Sequence, residues 1–254
     1  MIDLHCHILP GVDDGSPDMQ ESLAMAKKAV EAGITHVFAT PHHLNERYVN
    51  VKDNIIDRVF ELNECLQQEN IPLCVHPGQE LRIHRELFVS LEKGEVLTLD
   101  NNDKYLLLEL PSGYLPTYTQ ELIYELLLIG IMPIIVHPER NKELIENHNL
   151  LFKLVQEGAL TQLTSGSIIG LFGKNVKSFS KKIMEHNCAH FIATDAHNVG
   201  SRGFTLQEAF ATITKTYGIE RTFYFKENAE QLLKGQSPSI VEPRQFKKRI
   251  LGIF

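Results

Sequence analysis

The sequence contains no tryptophan, only four cysteines and no long apolar run that is free of breaks. The cysteines are widely spaced and form no C-x-x-C pair; they are Cys6, Cys65, Cys74 and Cys188. This usage predicts reduced thiols and a cytoplasmic protein. The longest apolar run, residues 126–136, contains Gly130 and Pro133 and is too short for a membrane span. The chain does not open with a basic region and an apolar stretch, so we expect no signal peptide and no membrane insertion.

A basic excess is also missing, because 25 lysines and arginines stand against 32 aspartates and glutamates, for a net charge of −7. A surface that binds nucleic acid usually shows as a basic excess, so we expect no nucleic-acid partner. A protein of this charge that handles an anionic substrate needs local positive charge from arginines or metal ions. The sequence also lacks the motifs of phosphate loops, dinucleotide sites, serine hydrolases and zinc proteases.

Short apolar runs alternate with longer segments of helical period along the chain. The predicted strands cover residues 2–5, 35–40, 72–78, 105–110, 132–137, 159–164 and 189–195. The predicted helices cover residues 17–32, 51–69, 118–129, 141–157, 174–187 and 204–217. This alternation predicts an α/β fold of parallel strands in βα units. Periodicity does not distinguish an open doubly wound sheet from a closed barrel.

The sequence shows no internal repeat, no low-complexity tract and no linker. We therefore expect a single domain over residues 1–254. The basic and apolar tail, residues 246–254, is predicted to dock as a terminal helix or strand, with a partner-binding tail as the alternative.

Ligand-type side chains follow six of the seven predicted strands. They are His5, His7, Asp14, His42, Glu80, Glu109, His137, Asp195 and His197. In a (β/α) barrel the carboxyl ends of all strands open on one face, where sites lie. Imidazole and carboxylate are ligands for zinc, manganese or iron. Nine candidates exceed the needs of one ion, so we expect two or three ions with bridging carboxylates.

Several other polar residues near the predicted strands are not assigned to the metal site. Asp13 is assigned to a turn, and spacing favours Asp14 over it only slightly. His36 and His76 lie inside predicted strands and are interpreted as structural, while His43 stays undecided.

The ordered motifs resemble those of the PHP (polymerase and histidinol phosphatase) family. They are DLHCHILPGVDDG, ATPHH, GQE, LLLEL, VHPER and ATDAHN, and they span most of the chain. In detail the chain is similar to the CpsB/YwqE-type bacterial tyrosine-protein phosphatases of that family. The resemblance implies a distorted (β/α)7 barrel with its metal site at the carboxyl ends of the strands.

The same resemblance implies a centre of two or three ions held by the nine residues above. Manganese is usually preferred in this family, with iron, zinc, cobalt or magnesium as alternatives. Arg140 and Arg202 are implied to assist at the phosphate, although a simple ion pair is the alternative for Arg140. The implied substrate is a phosphotyrosine protein, a bacterial tyrosine kinase and its targets in capsule or exopolysaccharide synthesis.

Cysteine-dependent tyrosine phosphatases place an arginine six residues after the catalytic cysteine. In this chain the residues at that spacing are Val12, Ile71, Glu80 and Thr194. We therefore expect hydrolysis by a metal-activated hydroxide without a cysteine intermediate.

Other functions remain open from the sequence. The same site could serve a small-molecule phosphomonoesterase such as histidinol phosphatase, or a PHP phosphodiesterase. A metal-stabilised barrel without catalytic activity is a further alternative. An amidohydrolase is more remote, because that group usually has a carboxylated lysine between its metals and no lysine lies at a predicted strand end.

Overall fold

A computed structural model describes residues 1–246, in which parallel strands alternate with helices. The strands are β1 (Ile2–Cys6), β2 (His36–Ala39), β3 (His42–His43), β4 (Cys74–Pro77), β5 (Glu80–Arg82), β6 (Tyr105–Glu109), β7 (Met132–Val136), β8 (Leu160–Thr164) and β9 (Phe191–Ala193). The helices are α1 (Met19–Glu31), α2 (Lys52–Gln68), α3 (Leu87–Glu92), α4 (Thr119–Leu128), α5 (Lys142–Glu146), α6 (His148–Gln156), α7 (Ser165–Ile169), α8 (Lys174–Glu185), α9 (Leu206–Tyr217) and α10 (Ile219–Leu233). Of the tail at residues 246–254, only the buried Phe246 is described, so the tail prediction lies outside the described residues.

The strands form two parallel sheets, with the orders β1-β2-β4 and β3-β5-β6-β7-β8-β9. The chain passes from the first sheet to the second at two short breaks. Two residues separate β2 from β3, and two residues separate β4 from β5. At the second break, Gly78 leaves room for its neighbours, because a Cβ there would lie 2.8 Å from the Leu99 side chain and would force it to shift. The free edges also meet: Asp195 N–H donates to His5 O, and His7 N–H donates to Ala196 O, both at 2.8 Å.

Apolar side chains cover both faces of the strands, as parallel sheets require. Along β6, Leu107 belongs to a smaller cluster that includes Phe38 and Phe191. Leu106 and Leu108 point the other way, into the larger cluster that the helices cover. This alternation follows from the two-residue period of a strand. It explains why the strands read as continuous apolar runs in the sequence.

All seven predicted strands are present, but some predicted elements differ in extent. The helix predicted for residues 141–157 is interrupted at Asn147 (φ −130°, ψ 79°), which separates α5 from α6. The short strands β3 and β5 were not predicted, and neither were the helices α3, α7 and α10. None of the helices within residues 1–246 combines the length and apolar character that a bilayer crossing requires.

His190 precedes β9 and is buried, and its Nδ1 accepts a hydrogen bond from the Thr161 backbone N–H (3.0 Å). Burial, with the charge of Arg221, lowers the pKa of His190 from 6.5 to about 4. The unfolded chain binds a proton at His190 below about pH 6.5, whereas the folded protein does so only near pH 4. Protonation therefore lowers the free energy of unfolding as the pH falls from 6.5 towards 4. We expect it to lower the unfolding free energy by about 2 kcal/mol between about pH 7.5 and about pH 5.

Urea unfolding of wild type and His190→Asn at both pH values measures this contribution. The variant should lose about 2 kcal/mol less than wild type over that range. The comparison cancels the opposite contribution of Asp3, whose pKa burial raises to about 6. Equal losses in the two proteins would contradict the assignment.

Candidate metal centre

The carboxyl ends of the strands bring all nine sequence-predicted ligand residues into one cluster. Each has a nitrogen or carboxylate oxygen within 3.8 Å of such an atom on another member. Neighbouring parallel strands end at the same side of a sheet, which explains the convergence. The cluster therefore assembles residues from positions 5 to 197 of the chain.

His5 and His7 form the buried centre of the cluster, with their Nε2 atoms 3.2 Å apart. Glu80 Oε2 lies 3.4 Å from each of these nitrogens. Asp195 Oδ1 lies 3.4 Å from His5 Nε2 and 3.2 Å from His7 Nε2. One oxygen of each carboxylate therefore lies against the same pair of imidazole nitrogens.

Two further groups adjoin this centre and share members with it. His42 Nε2 and His197 Nε2 lie 3.4 Å and 3.3 Å from Asp14 Oδ1, and His7 completes that group. The other group combines His42 with Glu80 and Glu109. The three groups therefore share residues. Adjacent ions with bridging carboxylates require such sharing.

The hydrogen-bond pattern at His5 and His7 fits a cation between them. Gln162 Oε1 lies 2.8 Å from His5 Nδ1, and Asp13 Oδ2 lies 2.6 Å from His7 Nδ1. In the neutral rings both Nδ1 atoms carry the donated proton, so both Nε2 atoms present lone pairs. These lone pairs and the two carboxylate oxygens repel one another unless a cation lies among them. Ligand atoms bonded at about 2.1 Å to one ion are themselves about 3.0–3.4 Å apart. The two Nε2 atoms, and each Nε2 atom with its carboxylate neighbours, have such separations.

Several buried ligand atoms support the same interpretation. Within residues 1–246, His42 Nδ1, Glu80 Oε2, Glu109 Oε2 and His197 Nε2 have charged neighbours at 2.7–3.3 Å but make no hydrogen bond of normal geometry. Buried polar atoms without partners are costly in a folded protein. Imidazole nitrogen and carboxylate oxygen are ligands of divalent transition metals, so bound cations would satisfy these atoms.

The electrostatics of the cluster show an excess of buried negative charge. Burial and the charge of Glu80 raise the pKa of Glu109 to about 7. Burial disfavours a charged His42, but Glu80 and Asp14 raise its pKa to about 10. Burial likewise opposes charge on Asp195, yet Arg140 and His5 keep the pKa of Asp195 well below its usual range. The carboxylates thus raise the pKa values of His5, His7 and His42 in the absence of cations, and bound cations would replace the protons held there.

Two of the cluster residues have left-handed backbone conformations at the ends of strands. His137 has φ 36° and ψ 48° directly after β7, and Asp195 has φ 54° two residues after β9. Non-glycine residues rarely adopt this region, and the strain persists only where the surroundings impose it. At His137 the result is a ring whose Nε2 lies 2.7 Å from Glu80 Oε1.

Both sequence-predicted arginines lie beside the cluster and contact Asp195. Arg140 Nη1 is 2.7 Å from Asp195 Oδ2, and its Nη2 donates to Thr164 Oγ1 at 2.8 Å. Arg202 Nη2 donates to the same Asp195 oxygen at 3.1 Å, and its Nη1 is 3.9 Å from Asp14. The ion pair considered for Arg140 is therefore present, with an acidic member of the cluster as its partner.

The arginines border a cleft of about 210 Å³ that opens onto the cluster. Its lining also includes apolar and neutral polar side chains, namely Leu110, Ser112, Val136, Pro138 and Asn141. The Phe172 ring packs against the Arg140 guanidinium, 4.3 Å from its Cζ. A cationic end next to apolar walls suits an anionic group carried on an apolar body.

Three residues that the sequence interpretation did not assign to the site hold its members in place. Asp13 binds His7, Gln162 binds His5, and Arg82 lies 3.1 Å from Glu109 Oε2. Asp13 does serve the turn assigned to it, since its Oδ1 accepts the Gly15 N–H at 2.9 Å. In the sequence, the feature that could have indicated the role of Asp13 was its position six residues after His7. Gln162 and Arg82 gave none, because neither is a usual metal ligand.

Replacing Asp13 tests the role of these supporting contacts. Asp13→Asn keeps the size of the side chain but removes the charge that fixes the proton on His7 Nδ1. We expect about a 10- to 100-fold loss of metal affinity, measured by titrating the metal-free protein with Mn²⁺. Asp18→Asn, which changes a helix-capping carboxylate on α1, should leave the affinity unchanged. Equal affinities in wild type and Asp13→Asn would contradict the role.

The chain is similar to several known proteins. A family model described as capsular polysaccharide synthesis, CpsB/CapC, matches residues 1–234. The tyrosine-protein phosphatase YwqE of Bacillus subtilis is 46% identical over 255 residues, covering 100% of both chains. The tyrosine-protein phosphatase CpsB of Streptococcus pneumoniae is 28% identical over 244 residues, covering 93% of this chain and 99% of its own.

A solved structure gives a similar result. It comes from work on YwqE from Bacillus subtilis and CpsB from Streptococcus pneumoniae, described as metal-dependent tyrosine phosphatases. It superposes with a TM-score of 0.94 at 46% identity, covering 98% of this chain and 100% of the other. The chain therefore belongs to the CpsB/CapC family.

Proposed function

We propose that this protein is a metal-dependent protein-tyrosine phosphatase. The observation that carries the proposal is a cluster of nine ligand-type side chains flanked by two arginines at the mouth of a cleft. The relatives YwqE and CpsB bear the name of tyrosine-protein phosphatase, which supports the same activity. The substrate class that follows is phosphotyrosine on a protein, and the capsule-synthesis family suggests a bacterial tyrosine kinase and its targets.

The nine residues are assigned to hold two or three divalent ions, with manganese as the preferred metal. They are His5, His7, Asp14, His42, Glu80, Glu109, His137, Asp195 and His197. When bound, such ions supply a coordinated water of lowered pKa and neutralise the charge on phosphate. The contribution of the protein is to fix the ligands, through contacts such as that of Asp13 to His7 (2.6 Å).

Arg140 and Arg202 are assigned to the phosphate oxygens. A guanidinium offers a planar pair of donors that matches two phosphate oxygens, which a lysine does not. Both arginines already lie against Asp195, so their head groups are held at the cleft before a substrate arrives. The phenolate that leaves has a conjugate-acid pKa of about 10 and needs less protonation than an alkoxide.

A cysteine nucleophile is not part of this mechanism. Cys6 lies beside the cluster but is buried, and burial raises the pKa of its thiol well above the usual value. Burial also raises the pKa of Cys188 to about 12. Reactive cysteines instead have lowered pKa values and partial exposure.

We also propose the finer form of the fold, a distorted (β/α)7 barrel forming one domain over residues 1–254. The contacts between β1 and the segment after β9 support it, because they link the two free sheet edges. The unpaired thiols of Cys6, Cys65, Cys74 and Cys188 suit a cytoplasmic location.

Turnover of a phosphotyrosine peptide, with metal analysis of the same sample, tests the proposed activity. We expect phosphate release with added Mn²⁺, abolition by a chelator, restoration by Mn²⁺, and no change after thiol alkylation. Histidinol phosphate and a phosphodiester serve as comparison substrates, and kcat/KM should be highest for the peptide. A higher kcat/KM for either comparison substrate would instead support a small-molecule phosphatase or a phosphodiesterase. Loss of activity on alkylation with the metal retained would contradict the mechanism.

A further inference from the structure

A second group of ligand-type side chains lies at the opposite end of the strands from the metal centre. His36 begins β2 and Cys74 begins β4, and these residues are direct neighbours in the parallel register. His76 is two residues further along β4 and therefore projects from the same face as Cys74. His36 is six residues from the cluster residue His42, which is about 20 Å along an extended chain.

The three side chains place one ligand atom each at a common point. His36 Nδ1 and His76 Nε2 are hydrogen-bonded at 3.0 Å, and the Cys74 sulfur lies within 4.8 Å of a ring nitrogen of each histidine. Nitrogen atoms that bind one tetrahedral zinc ion at about 2.0–2.1 Å are about 3.3 Å apart. The arrangement therefore needs only small side-chain adjustments to bind such an ion.

Asp100 prepares His76 for this role. Its Oδ1 accepts a hydrogen bond from His76 Nδ1 at 3.2 Å. A proton on Nδ1 leaves a lone pair on Nε2, the atom that faces His36. A carboxylate that binds the outer nitrogen of a histidine is the usual support of a metal-ligating imidazole. The Phe38 ring stacks on His76 (5.0 Å between centroids, 26° between planes) and limits its rotation.

We propose that His36, Cys74 and His76 form a second metal site that binds one zinc ion. Two imidazoles and a thiolate are ligands for a borderline soft ion such as zinc, whereas the carboxylate-rich centre at the other end suits harder ions. Cys74 is exposed, so an ion reaches the site from solvent, and a water molecule can fill the fourth position. The site joins the starts of β2 and β4 and has no part in the phosphatase reaction.

Cobalt titration of the full-length protein, with Mn²⁺ first added to fill the metal centre, tests this site. Thiolate bound to Co²⁺ gives a near-ultraviolet charge-transfer absorption, and the nine residues of the metal centre include no cysteine. We expect this absorption to saturate at one Co²⁺ per chain and to disappear when Zn²⁺ displaces the cobalt. Absence of the absorption, or its persistence in excess Zn²⁺, would overturn the assignment.

Variants identify the ligands without relying on activity. Cys74→Ser should abolish the absorption, while the matched control Cys65→Ser, which changes a cysteine on α2, should retain it. Asp100→Asn should weaken Co²⁺ binding about 10- to 100-fold, since it removes the support of His76. Circular dichroism establishes that each variant is folded. An undiminished absorption in folded Cys74→Ser would refute the proposal, as would unchanged affinity in Asp100→Asn.

Discussion

Glu80→Gln is expected to lose bound metal and to reduce turnover of a phosphotyrosine peptide by at least about 10³-fold, equivalent to about 4 kcal/mol. Glu80 is buried between the groups of the metal centre and contacts four histidines. Its Oε1 lies 2.7 Å from His137, and its Oε2 lies 2.7 Å from His42 and 3.4 Å from His5 and His7. The glutamine side chain of the variant lacks the negative charge of Glu80. It presents to the ions either an N–H group, which cannot bind a cation, or an amide oxygen, which binds one more weakly than a carboxylate does.

Metal analysis and kcat measured on the same preparation distinguish this effect from unfolding. Circular dichroism should show a folded variant, because Glu80→Gln keeps the size of the side chain. Glu157→Gln is the control, since Glu157 is exposed and accepts a hydrogen bond from Gln120 (2.6 Å). It should keep both metal and activity. A folded Glu80→Gln protein with full metal content and normal kcat would contradict the assigned role.

Arg140→Lys is expected to lower kcat by about 10²- to 10³-fold while metal content stays unchanged. Lysine retains the positive charge beside Asp195 but cannot bind two phosphate oxygens in a plane. Asp195 also keeps its contact with Arg202 (3.1 Å), so the acidic ligand remains neutralised. Some loss of thermal stability is expected too, because Arg140 is partly buried, donates to Thr164 and packs against Phe172.

The control for this variant is Arg58→Lys, which changes an exposed arginine paired with Glu61 (3.1 Å). Its kcat, metal content and melting temperature should match those of wild type. Arg202→Lys should give a smaller loss of kcat than Arg140→Lys, because Arg202 is the more exposed of the two. Wild-type kcat in Arg140→Lys would show that this arginine serves only as the ion-pair partner of Asp195.

The convergence of the nine ligand-type residues was predictable because it follows from the parallel direction of the strands. Once seven apolar runs are interpreted as parallel strands, the residues after each run must meet at one edge. His5 and Asp195 are 190 residues apart in sequence, yet their strands are neighbours and their side chains lie 3.4 Å apart. No propensity argument was needed beyond the alternation of strands and helices.

The supporting contacts were not predictable, because they depend on distances that a strand pattern does not contain. Gln162 lies inside β8, and only the position of His5 across the strands gives it a role. Asp13 was assigned to a turn for a correct local reason, but the same carboxylate also binds His7 and the His42 backbone N–H. Local chemistry explained one of its contacts and tertiary structure supplied the others.

The missed secondary structure has a similar cause. The strands β3 and β5 contain two and three residues, too few to show any period. Their pairing aligns His42 with Glu80, so they position two of the candidate ligands although they contribute little regular structure. In α10 the buried residues Phe225, Ala229 and Leu232 follow helical spacing, but polar residues lower the overall apolar character of the segment.

The proposed activity requires cations bound among these nine side chains, and anomalous diffraction tests for these cations directly. Crystals grown with Mn²⁺ should give two or three anomalous peaks at the manganese absorption edge. Each peak should lie within bonding distance of members of the cluster, with one between His5, His7, Glu80 and Asp195. An ordered cluster without anomalous peaks, or manganese bound only elsewhere on the protein, would contradict the account.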